Sequence, residues 1–230
     1  MKKLKIFIAC DTNKISDIKK IITSTKTNKL DIAYKIGLEF FLSTNGRKYI
    51  SKLKNYEIFL DLKLNDIPNT CSAAIHSLKD LKNISYLTVH ANGGYEMLKE
   101  IKKTAKKTNK KLKILGVTVL TSFSNSSLKK IGHTRSIKGL VKKQAAMVKE
   151  AGLDGIVCSG HEVKIIKNIC KKMEIVTPGI RLLGDKTSDQ KRVMTPKDAY
   201  LNGASAIVIG RSITKGNIKK NIQKLIKSLD

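Results

Sequence analysis

The chain has 230 residues, with 46 Lys+Arg against 18 Asp+Glu, a formal charge of +28. Apolar residues make up 41%, too many for a disordered chain, and no apolar run approaches the ~20 residues of a membrane helix. The apolar stretch in MKKLKIFIACD ends at Asp11, short of the ~7–15 residues of a secretory signal, so the chain reads as a soluble cytoplasmic protein.

In chain order, short β-type runs alternate with amphipathic stretches. The runs are 5–11, 31–37, 56–64, 86–91, 112–121, 155–159, 174–180 and 206–210. Most are continuous Val/Ile/Leu-rich segments, as in parallel strands covered on both faces. Helical patterns follow each one. After the first, Ile15, Ile18, Ile21 and Ile22 share one face. KYISKLK follows the second run, 67–81 the third, 94–107 the fourth and 136–152 the fifth, which stops at Gly152. Residues 161–172 follow the sixth. Thr195 and Pro196 cap and open the helix after the seventh, and 215–229 form the last. Eight β–α units in 230 residues predict a single-domain (β/α)₈ barrel, a TIM barrel; a doubly wound open sheet is the alternative. Residues 182–194 fit no element and read as a lid loop.

The charge invites a nucleic-acid reading, but 41 of the 46 cations are Lys. Readers of nucleic acid rely on Arg forks and aromatic stacking. Eight lysines crowd 99–113 on a helical pattern, so the composition reads as solvated helix faces, with no specific nucleic-acid partner. The potential should still attract anions. Three of the five arginines fall between 181 and 211, where a planar bidentate donor would suit phosphate. Cys10, Cys71, Cys158 and Cys170 are scattered and read as reduced, buried residues. His90 ends the fourth strand and is placed to face a site there. His76, His133 and His161 lack metal-ligand spacing, so neither a metal nor a cofactor is expected.

The chemistry concentrates at strand ends. In DLKLND, Asp61 and Lys63 stand at i and i+2 and so project together; Asp66 follows the strand. Asp11 ends the first strand and Lys35 lies near the end of the second. Two Lys and three Asp are thus expected to converge on the C-terminal mouth, where barrel active sites form. Each opposite-sign contact at ~4 Å is worth about 4 kcal/mol at an effective dielectric of ~20. PGIR (178–181) and Gly210–Arg211 end strands seven and eight, the usual phosphate site of such barrels. Gln190, in the candidate lid, is within reach of it.

DLKLNDIPNT (61–70), VTVLTS (117–122), TPGIR (177–181), DQKRVMTP (189–196) and GRSI (210–213) together resemble orotidine 5′-phosphate decarboxylase of the common bacterial type, in order over nearly the whole chain. The resemblance implies a cofactor-free homodimeric (β/α)₈ barrel that converts orotidine 5′-phosphate to UMP and CO₂, the last step of de novo pyrimidine nucleotide synthesis. It makes Lys63 the proton donor and sets Asp61 against the substrate carboxylate. Asp66, Ile67 and Thr70 would reach the neighbouring subunit's site. Asp11 and Lys35 would bind ribose hydroxyls and complete the array, and Thr121 would sit by the pyrimidine. Arg181, Gln190, Gly210 and Arg211 would hold phosphate. Leu64-Asn65 departs from the Phe-His often found in the family. A sister enzyme on the same scaffold, a Mg²⁺-dependent sugar-phosphate decarboxylase, shares the D-x-K-x-x-D core.

Overall fold

The computed structural model describes residues 4–185 and 192–229. Its eight strands are β1 (Lys5–Ala9), β2 (Asp31–Gly37), β3 (Ile58–Leu64), β4 (Ile84–His90), β5 (Lys113–Val117), β6 (Gly155–Val157), β7 (Glu174–Thr177) and β8 (Ala206–Ile209). Each pairs in parallel with the next, and β8 pairs with β1 to close the barrel. The closed ring excludes the open-sheet alternative.

Alternation along each strand divides the apolar residues between two cores. On β1, Ile6 and Ile8 face the helices, whereas Phe7 and Ala9 fill the barrel. Phe7 packs edge-on against Phe59 and Tyr86, with ring centroids 4.9 and 5.1 Å away. Below this aromatic plug, Lys5 bridges Glu57 at 2.6 Å and Asp31 at 3.1 Å, and Lys113 pairs with Glu174. Rings and ion pairs thus line the floor, where a depression opens among Lys5, Glu57, Tyr86, Lys113 and Glu174, and a separate cavity lies at the opposite mouth.

The helices are α1 (Ile15–Ser24), α2 (Leu38–Phe41), α3 (Gly46–Ile50), α4 (Pro68–His76), α5 (Gly94–Thr108), α6 (Asn125–Lys130), α7 (Ile137–Glu150), α8 (Val163–Ile169), α9 (Pro196–Leu201), α10 (Arg211–Thr214) and α11 (Ile218–Leu229). Ile18, Ile21 and Ile22 are buried on α1 as the periodicity requires. Thr195 caps α9 by accepting the Asp198 N–H at 3.1 Å, with Pro196 in the first turn. Gly152 follows α7 at φ +75°, a conformation that favours glycine. Of the stretch KYISKLK only the first three residues are helical, at the end of α3, and α2 is a further helix before it. Gly46 passes so close to the Phe40 carbonyl that a Cβ there would lie 1.7 Å from its oxygen, and the chain turns at that point. α6 is an addition to the sequence reading, nucleated by a capping box between Ser124 and Ser127. All four cysteines are buried as free thiols, and burial pushes Cys10 up to about 12. No helix among the described residues is long and apolar enough to cross a membrane.

Candidate active site

The open mouth holds a cavity of about 400 Å³ lined by Asp11, Lys35, Asp61, Lys63, Thr121, Pro178, Gly179, Arg181, Gly210 and Arg211, among others. One wall, at the ends of β1 to β3, is charged, and the arginines follow β7 and β8, of which β8 adjoins β1. Apolar residues of β5, β6 and β8, including Val117, Val157 and Val208, complete the lining.

Four charges form an alternating chain along the first wall. Lys35 donates to Asp11 at 3.0 Å and stands 3.4 Å from Asp61; Lys63 lies 3.0 Å from the same Asp61 oxygen, Oδ2. The Asp61 and Lys35 side chains are only 12% and 11% exposed, whereas Lys63 is 35% exposed and faces the cavity. Burial is the largest single influence on Asp61 and pushes its carboxyl up. Lys35 and Lys63, with hydrogen bonds from Lys63 and Thr88, outweigh it and hold the group below the usual carboxylate range. Burial likewise opposes the Lys35 ammonium, but Asp61 and Asp11 raise its pKa overall.

These shifts fix a pH dependence. Asp61 binds a proton more readily in the unfolded chain. Its stabilisation is therefore present above its ordinary value of 3.8 and is lost as pH falls through the lower folded value. Lys35 stabilises fully below 10.5, and that contribution disappears as pH rises through its higher folded value. Denaturation midpoints followed against pH should thus show neither group titrating between about 4 and 10.

Asp66 is a correction to the five-charge convergence. β3 ends at Leu64, and the Asp66 carboxylate turns back to accept the Ile67 N–H at 2.7 Å. Asp66, Ile67 and Thr70 are all exposed and do not line the cavity. Gln190 lies outside the described residues. His90 does not line the cavity either; its Nδ1 accepts the Asn92 N–H at 3.2 Å. Burial and then the Lys63 charge lower its pKa.

The arginine-bearing segment after β7 is braced at its base. Arg181 N–H donates to the Met194 carbonyl at 3.0 Å, and Met194 N–H to the Gly179 carbonyl at 3.2 Å, which joins the two ends of the candidate loop. Arg192 adds a brace that motif reading missed. It pairs with the buried Glu162 and donates to the Val119 and Leu120 carbonyls, both at 3.3 Å, beside Thr121. The available signal was its identity as a rare arginine. Thr88, which carried no such signal, contacts both Asp61 and Lys63.

A family model described as "Orotidine 5'-phosphate decarboxylase / HUMPS family" matches residues 4–224. The chain belongs to that family. A relative from Wolbachia sp. subsp. Brugia malayi, named orotidine 5′-phosphate decarboxylase, is 43% identical over 97% of this chain and 98% of its own length. Another of that name, from Fusobacterium nucleatum, is 41% identical over 99% and 96%. The crystal structure of orotidine 5′-phosphate decarboxylase from Lactobacillus acidophilus superposes with a TM-score of 0.85 at 34% identity, covering 99% of each chain. The family's barrel is thus the one seen here, with the charged strand ends at its mouth.

Proposed function

We propose that this chain is a carboxy-lyase that converts orotidine 5′-phosphate to UMP and CO₂ in pyrimidine nucleotide synthesis, with no cofactor. The observation that carries the reading is the Asp11–Lys35–Asp61–Lys63 chain sharing one cavity with Arg181 and Arg211. The relatives' common name supports the same substrate.

In this reading Arg181, Gly210, Arg211 and Gln190 hold the phosphate, Asp11 and Lys35 meet ribose hydroxyls, and Thr121 lies by the pyrimidine. Asp61 then faces the substrate carboxylate. As the bond from the ring to the carboxylate breaks, its electron pair stays on the ring carbon. The Lys63 ammonium lies preorganised where that charge develops, so it favours the transition state over the ground state. It then delivers a proton to the carbon, and its amine is reprotonated from solvent. Asp61 and Lys35 keep the ammonium from collapsing onto a different partner. Asp66, Ile67 and Thr70 serve a neighbouring site in a homodimer; Ile67 is 65% exposed in the lone chain, a surface a partner would cover.

Both cavity carboxylates are already engaged by lysine ammonium groups, which supports chemistry without a divalent cation. The test is ultraviolet loss of orotidine 5′-phosphate with and without EDTA. Equal rates are expected. Loss of all activity in EDTA would overturn the cofactor-free reading, and no turnover in either arm would overturn the substrate assignment and favour the metal-dependent sugar-phosphate alternative.

A further inference from the structure

β3 and β4 fall out of step beside the reacting groups. Leu60 pairs with Leu87 and Leu64 with Val89, so Asp61, Leu62 and Lys63 stand opposite the single residue Thr88. A bulge of this kind leaves a backbone N–H without its ladder carbonyl. Here the Lys63 N–H donates instead to Thr88 Oγ1 at 2.9 Å. Lys63 itself takes φ +51°, the one positive value at a non-glycine residue among those described.

The same hydroxyl donates its own proton to Asp61 Oδ1 at 2.9 Å. A threonine hydroxyl has one proton to give and lone pairs to receive, and both capacities are used. The Asp61 oxygens are thereby divided: Oδ2 faces the two ammonium groups, and Oδ1 is held by Thr88. The terminal torsion of an aspartate is broad, so without that donor the carboxylate is free to turn. Thr88 is completely buried and does not line the cavity, so it has no contact with substrate.

Resting on the decarboxylase reading above, we propose that Thr88 is a positioning residue: its hydroxyl locks the Asp61 carboxylate to the Lys63 main chain across the bulge and so sets where the Lys63 amine stands. The charged groups facing Asp61 are Lys63 on its own strand and Lys35 on β2, with Asp11 beyond Lys35 at the end of β1. On β4, His90 senses the Lys63 charge. The Thr88 donor adds to the lysines in favouring ionised Asp61.

The experiment compares the wild type with Thr88→Ser, Thr88→Val and Thr88→Ala. Val keeps the shape without the hydroxyl, and Ala guards against a packing failure of Val. A hydrogen bond to a charged group supports a loss of about 10- to 100-fold in kcat for Val and Ala, with KM little changed. Ser should keep most of the rate, and the acid limb of the kcat profile should move to higher pH in Val and Ala but not in Ser. Carboxyl ¹³C titration of Asp61 in the Ala variant should move the same way whether or not the substrate assignment holds. Wild-type turnover, measured alongside, judges that assignment separately. An Asp61 titration unmoved by the loss of the hydroxyl, wild-type kcat in folded Val or Ala protein, or a Ser variant as impaired as Ala would overturn the proposal.

Discussion

Lys63→Ala should reduce turnover of orotidine 5′-phosphate by at least about 10⁴-fold in a protein that still folds. The substitution removes two contributions at once. A positioned proton donor supplies about 10²–10⁴-fold, and loss of a preorganised charge at the developing carbanion costs about 10²–10³-fold. The fold should survive because Asp61 keeps its bonds to Lys35 and Thr88, while the Lys63 side chain borders open cavity and not the core. Steady-state assay with thermal denaturation checks both halves. Near-wild-type turnover would remove Lys63 from the chemistry.

Mixing two inactive proteins should restore activity. Lys63→Ala lacks the proposed proton donor, and Asp66→Ala lacks the residue proposed to serve the partner's site. In a mixed dimer one site carries both substitutions and the other carries neither. Random exchange of equal amounts makes half the dimers mixed, so recovery should approach about a quarter of wild-type activity per site. The basis is geometric: Asp66, Ile67 and Thr70 lie within ten residues of Asp61 along the chain yet are exposed and outside its cavity. Failure to regain turnover after exchange has been verified by mass spectrometry would confine these residues to their own subunit.

Much of this arrangement was legible in the residues alone, for physical reasons. Strands buried on both faces must be apolar almost throughout, so runs such as 206–210 stood out against a lysine-rich background. Charged residues at the ends of such runs, as in DLKLND, are costly unless paired, and the pairing is what the structure contains. The split of α2 from α3 was hidden because it follows from one close approach, between Gly46 and the Phe40 carbonyl. The bulge at Lys63 was hidden too. A two-residue alternation rule assumes a regular strand, and Asp61 meets Lys63 here across an irregular one. Arg192 and Glu162 meet only through the fold, 30 positions apart.

The left-handed backbone at Lys63 sets a conflict between persistence and work. An L-residue in that region carries about 1–2 kcal/mol of steric cost, whereas glycine occupies it freely. Backbone comfort alone would favour glycine at this position, which on the proposed reading would lack the proton donor and would also lose the ion pair to Asp61. If Lys63 is the proton donor, its amine is held against the preference of its own main chain, and drift at residue 63 should be the first mark of a lineage that no longer needs the reaction.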